Sequence, residues 1–201
     1  MARTRTEWLR WGVRARRHPS AFLLAAQLVS LILYPLFDEM RGGRVLFGAL
    51  GVVVLMLAVW VVERSPAKVW IAWLLVVPAL LLSVASVVLG SDNLLVLSSA
   101  LEALLYLYAA ASLIAYMLGD HRVTSDELYA AGATFTLLAW GFAYAYFVCQ
   151  AWYPGSFTGA VRPEHPRTWL ELLFLSFTTL SATGLGDIIP LSLPGRGLGV
   201  V

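Results

Sequence analysis

The stretch PRTWLELLFLSFTTLSATGLGDIIP, running from Pro166 to Pro190, decides how the chain is read. Thr168 and Glu171 stand at the T-x-x-E spacing of a capping box, in which each side chain accepts from the other's backbone N–H, so a helix is predicted to start at Trp169. It can run to Leu180 or Ser181, which at 1.5 Å per residue is about 18–20 Å. The apolar core of a bilayer is about 30 Å thick, so such a helix reaches only partway in. Its C-terminal carbonyls carry a partial negative charge that favours a cation near the membrane centre. Beyond it, Gly184 and Gly186 stand two apart. Glycine tolerates backbone angles that side chains forbid, and alternating such angles turns consecutive carbonyls toward one axis. Bare carbonyls in a membrane are very costly unless they line a water or ion pathway. A short helix, a Gly-x-Gly strand and then Asp187 form the layout of a cation filter.

The surrounding chain is built for a membrane. Of its 201 residues 60% are hydrophobic and only 13% charged, with a mean hydropathy of +0.78. A soluble domain carries about 25% charge, so a cytosolic enzyme and a disordered tail are excluded. The single cysteine, Cys149, excludes an internal disulfide framework and a cysteine metal cluster. Charge-free intervals mark the spans: 20 residues between Arg17 and Asp38, 18 between Arg44 and Glu63, and 23 between Lys68 and Asp92. Asn93 to Gly119 adds 27, interrupted only by Glu102. A fifth apolar helix is predicted from Leu128 to about Trp152, stopped by Tyr153, Pro154 and Gly155. The sixth apolar stretch, Leu172 to Gly186, has 15 residues, too few to cross as a helix and suited to a re-entrant segment.

Arginine sets the orientation. The chain has 13 Arg and 1 Lys, and they lie mostly beside spans, so the basic balance reflects membrane topology and not nucleic acid. Arg3, Arg5, Arg10, Arg14, Arg16 and Arg17 in the tail, with Arg64, Lys68 and Arg122, would lie inside; Arg41, Arg44, Arg162 and Arg167 would lie outside. The excess predicts a cytoplasmic N-terminus in the cell membrane. Trp60, Trp70, Trp73 and Trp152 sit near span ends, where indoles favour the interface. Five spans then bring the chain to the outer face at about Tyr153, and the short stretch dips in and out from there. The expected organisation is a basic cytoplasmic tail over residues 1–19, a four-helix transmembrane region over 20–119 and a final module over 128–201.

The stretch from Ser176 to Pro190 resembles the pore loop of potassium channels, nearest to the bacterial ion-channel pore-domain group with its S-F-x-T-L-T-T-V-G-Y-G-D-I-x-P pattern. In that family Thr-Val-Gly-Tyr-Gly forms the selectivity filter, and four subunits surround one pore. The resemblance implies a filter of Ala182, Thr183, Gly184, Leu185 and Gly186, with Asp187 at the outer mouth and Thr168 and Glu171 capping the pore helix. It implies a homotetramer that passes potassium, or monovalent cations less selectively, within a lipid bilayer. No enzymatic activity, small-molecule substrate, nucleic-acid partner or cofactor other than the permeating ion is expected. Ala182 replaces the threonine whose hydroxyl lines the innermost ion site, Thr183 replaces valine, and Leu185 replaces the tyrosine whose hydroxyl braces the filter from behind. The backbone carbonyls survive all three changes. The family also needs an inner helix after the filter. Residues 191–201 resemble only its first turn, so that helix is expected to be missing: either the chain is a fragment or, as given, it cannot close a normal pore. The expected fold is an all-α membrane protein with five transmembrane helices, a re-entrant pore helix and a filter loop.

Two other classes compete. Gly184-Leu185-Gly186-Asp187 fits the GxGD signature of intramembrane aspartyl proteases, but that chemistry needs two carboxylates sharing a proton. Glu102 is the only other acid inside a span. A non-conducting scaffold lacking its inner helix is the second alternative. Glu102 shares a helical face with Ser98, Ser99 and Tyr106. It reads either as an acid hydrogen-bonded within the bundle or as a gating or proton-sensing site. The fourth span has no arginine ladder, so the sequence offers no voltage sensor of that kind. Pro78 is expected to kink the third span, and Gly132 and Gly141 to permit close helix contact. His18, His121 and His165 show no metal-ligand spacing.

Overall fold

The computed structural model describes residues 19–38, 43–63, 65, 67–119, 124–160, 162–184 and 186–200. The arginine-rich tail with His18, the residues Arg41, Arg64, His121 and Arg122, and the expected filter residue Leu185 lie outside the described residues. Among those described, five long helices come first: α1 (Pro19–Asp38), α2 (Gly43–Val62), α3 (Val69–Leu89), α4 (Asp92–Met117) and α5 (Ser125–Trp152). Strand β1 (Phe157–Gly159), helix α6 (Trp169–Leu180), strand β2 (Ile188–Pro190) and helix α7 (Leu193–Val200) follow. Helices α3, α4 and α5 are long and apolar enough to cross a membrane, and the chain is an all-α membrane protein.

Each helix follows from local chemistry. Pro19 opens α1, where its missing N–H is no loss and its fixed φ suits a first turn. Asp92 lies in the first turn of α4, where a carboxylate meets the positive end of the helix dipole. Helix α3 continues unbroken through Pro78. Helix α5 starts at Ser125, three residues before the expected Leu128. The reason is a second capping box: Thr124 N donates to Glu127 Oε2 at 2.7 Å, and Glu127 N donates to Thr124 Oγ1 at 3.3 Å. Asp126 and Glu127 therefore belong to a helix start and not to a loop.

Apolarity and burial run in opposite directions along the three spans. Mean hydropathy falls from 2.5 in α3 to 1.8 in α4 and 1.3 in α5, while the buried share rises from 22% to 44% to 61%. A helix against lipid must be apolar all round, whereas one packed in protein can keep polar side chains that find partners there. Leu74, Leu81, Val84, Val87 and Val88 of α3 are all exposed.

The chain divides into two compact units, residues 1–69 with 109–135 and residues 70–108 with 136–201. In the first, α1 and α2 pack together. Ser20 Oγ donates to Asp126 Oδ2 at 3.2 Å in a buried contact that ties the starts of α1 and α5. A Cβ on Gly132 would stand 3.0 Å from Leu24 Cδ2, so those two helices touch there closely. In the second, α4 and α5 close up in the same way at Gly141, where a Cβ would meet Leu107 at 3.0 Å.

A two-stranded antiparallel sheet, absent from the sequence expectations, completes the second unit. Phe157 pairs with Pro190, Thr158 with Ile189 and Gly159 with Ile188. The ladder extends at both ends, with Ala160 N donating to Asp187 O at 3.0 Å and Leu191 N to Ser156 O at 2.8 Å. Strands of three residues are too short to show alternation, and one of them contains a proline, which usually argues against a strand.

Candidate functional site

Helix α6 spans Trp169–Leu180, and its start carries the full capping box. Thr168 N donates to Glu171 Oε2 at 2.6 Å, and Glu171 N donates to Thr168 Oγ1 at 3.3 Å. One residue earlier, Arg167 is only 4% exposed. A buried guanidinium is costly unless its donors are satisfied, and here they are. Arg167 Nε donates to the His165 carbonyl at 3.1 Å, Nη2 donates to the carbonyls of Arg162 and His165, and Nη1 lies 3.4 Å from Glu171 Oε1. The backbone of Arg167 is held from α5. Its N–H donates to Gln150 Oε1 at 2.7 Å, and Gln150 Nε2 donates to its carbonyl at 3.0 Å. Gly159 leaves the room the guanidinium occupies, since a Cβ there would collide with it.

Below this anchor α6 packs against α5, β1 and β2. Tyr146 and Cys149 of α5, Phe157 of β1, Leu172 and Leu175 of α6 and Ile188 of β2 form one buried cluster. Trp169 sets its ring edge-on to Trp140 with centroids 5.2 Å apart, and lies 5.6 Å from Tyr144. The strand pair therefore joins the chain leaving the glycine segment to the chain leaving α5, with α6 seated against both.

The C-terminal end of α6 is a backbone device. Ala182 N donates to Thr179 O at 3.0 Å, and Thr183 N donates to Thr178 O at 3.2 Å. These two bonds are the paired closure of a Schellman cap, which places the residue after the cap in the left-handed region. That residue is Ala182, with φ 53°, where glycine is usual. A side chain in this conformation costs about 1–2 kcal/mol. Gly184 is left-handed too, with φ 62°, and Thr183 between them is not. Gly186 N donates to Gly184 O at 3.1 Å. Among the described residues the carbonyls of Ala182 and Thr183 accept no hydrogen bond. Ala182, Thr183, Gly184, Gly186 and Asp187 are all exposed in the single chain.

Glu102 sits in α4, buried, with Ser98 and Ser99 buried near it. Ser98 Oγ donates to the Leu95 carbonyl of its own helix at 2.9 Å. The carboxyl instead hydrogen-bonds Tyr144 of α5, whose ring stacks on Tyr106 at 5.7 Å. The sequence reading named Tyr106 and the serines as candidate partners but not Tyr144, which lies 42 positions away in sequence.

Gln150, Gly159 and Arg167 were also missed as site-forming residues. Their contacts join positions far apart in the chain, and no motif spacing marks them. The Thr124–Glu127 box had a readable signal, the same T-x-x-E spacing as Thr168–Glu171.

Residues 132–201, about a third of the chain, match a family described as ion channel. The match begins within α5 and takes in the sheet, α6 and the glycine segment, and it supports an ion-channel function. No curated protein and no solved structure matches the chain.

Proposed function

From that match, we propose that the chain is a subunit of a homotetrameric cation channel resembling potassium channels, set in the cell membrane with its N-terminus in the cytoplasm. The observation that carries the reading is the alternation of left-handed backbone at Ala182 and Gly184 directly after a capped 12-residue helix. Such alternation turns successive carbonyls to one side, and carbonyls without donors at membrane depth are sustainable only along an ion path. Ala182, Thr183, Leu185 and Gly186 would supply the oxygen ligands, Gly184, whose carbonyl accepts from Gly186 N, would supply the left-handed turn among them, and the exposed Asp187 would concentrate cations at the outer mouth. One chain supplies one such segment, so four are needed to encircle an ion. Potassium is the expected cargo. Glu102 is proposed as a structural acid of the bundle, since its carboxyl is engaged by Tyr144. The GxGD protease reading gains nothing from the family match, which lies over the same glycines.

The test is potassium flux from liposomes. A Cβ on Gly184 would meet nothing within 4 Å, so Gly184→Ala changes the backbone preference and little else. Flux is expected in the wild type and is expected to vanish in this variant. Unchanged flux ends the filter reading.

A further inference from the structure

Of Ala182, Thr183, Gly184, Leu185 and Gly186, only Thr183 carries a side chain able to hydrogen-bond. In a Schellman cap the second residue past the cap usually makes an apolar contact with the helix residue three positions before it. Those residues here are Thr183 and Thr178, and the contact is polar. Thr183 Oγ1 lies 3.3 Å from the Thr178 carbonyl and 3.1 Å from Ser181 Oγ. Ser181 Oγ in turn lies 2.7 Å from the Phe177 carbonyl.

Proton counting gives the direction of this chain. Each hydroxyl has one hydrogen to donate. The short contact to Phe177 takes the serine's hydrogen, so Ser181 Oγ is left as an acceptor and the single hydrogen of Thr183 is shared between it and the Thr178 carbonyl. The backbone N–H of Thr183 already goes to Thr178 O. Thr183 is thus fastened to the last turn of α6 through both its main chain and its side chain. Leu185, a hydrocarbon side chain, can make no such bond.

We infer that Thr183 is a positioning residue whose hydroxyl straps the carbonyl-bearing segment to the back of α6 and thereby sets discrimination between potassium and sodium. The inference rests on the channel reading above. A segment free to shift can draw its oxygens in around a smaller ion, whereas a tethered one holds the coordination that suits the larger. The strap does the work that the resemblance assigns to the tyrosine replaced by Leu185, but from a position two residues earlier.

The experiment is the potassium-to-sodium permeability ratio of the full chain in liposomes, read from reversal potentials. Thr183→Val keeps the shape and removes the hydroxyl. It is expected to lower the ratio about fivefold, the worth of one net hydrogen bond. Thr183→Ser is expected to keep most of the wild-type ratio. Ser181→Ala, which removes the acceptor, is expected to lower it in the same direction, and it decides the matter if Thr183→Val carries no flux. A wild-type ratio in Thr183→Val overturns the strap, as does a serine variant that falls as far as valine, a Ser181→Ala ratio that does not move, or a wild type that does not discriminate. Absence of flux in the wild type overturns the channel reading, and the strap with it.

Discussion

At its N-terminal end, α6 is secured by side chains: Gln150 takes both backbone groups of Arg167, Arg167 gathers the carbonyls of Arg162 and His165, and Glu171 closes the cap. At its C-terminal end the closure is made by main-chain N–H groups, a left-handed alanine and two small hydroxyls, with no charged side chain among the described residues taking part. Under the proposed filter the difference has a physical sense. A guanidinium or amide beside the glycine segment would compete with a cation for the same carbonyls. Keeping Arg167 and Gln150 at the far end of α6, about 18 Å away along the helix, allows a firm anchor without that competition.

Substitutions at the two ends should therefore separate stability from ion discrimination. Gln150→Leu leaves two buried backbone groups without partners, each worth about 1–3 kcal/mol. Thermal unfolding in detergent is expected to show a loss of about 3 kcal/mol, with the permeability ratio of the surviving protein unchanged. A shifted ratio would break the separation. Thr168→Val removes one half of the cap, and a loss of about 1 kcal/mol is expected by the same measurement. At the other end, Ala182→Gly relieves the left-handed penalty but adds freedom to the unfolded chain. The net expectation is about 0.5 kcal/mol of stabilisation. A clear destabilisation would mean that Ala182 does not rest at positive φ.

The parts of this architecture that were legible in the sequence are the local ones. Trp169 as the first residue of α6 followed from the three-residue spacing of Thr168 and Glu171, because a capping box is closed within one turn. The end of α5 at Trp152 followed from Tyr153, Pro154 and Gly155. What stayed hidden needed residues brought together from afar. Gln150 looks like any polar residue at a helix end until Arg167 folds back beneath it. Phe157 and Ile188 look like ordinary apolar positions until the sheet pairs their segments. The segment around Gly184 was intermediate: two glycines announced unusual backbone, but nothing in the sequence announced that Ala182 would adopt a glycine's conformation. Helix α5 begins earlier than expected because its start was placed at the first apolar residue, whereas its first turn holds the acids Asp126 and Glu127.

The short sheet also constrains the order of assembly. Pairing Gly159 with Ile188 and Phe157 with Pro190 closes a loop of about thirty residues that contains the whole of α6. Closing a long loop loses chain entropy before any ladder bond is gained, and three residues per strand return little. The closure becomes favourable once α6 is already seated on α5 through Leu172 and Leu175 and the two flanks are close. The limb that leaves the glycine segment is therefore expected to set after α6 is seated, and early misfolding of the helices would leave it without a template.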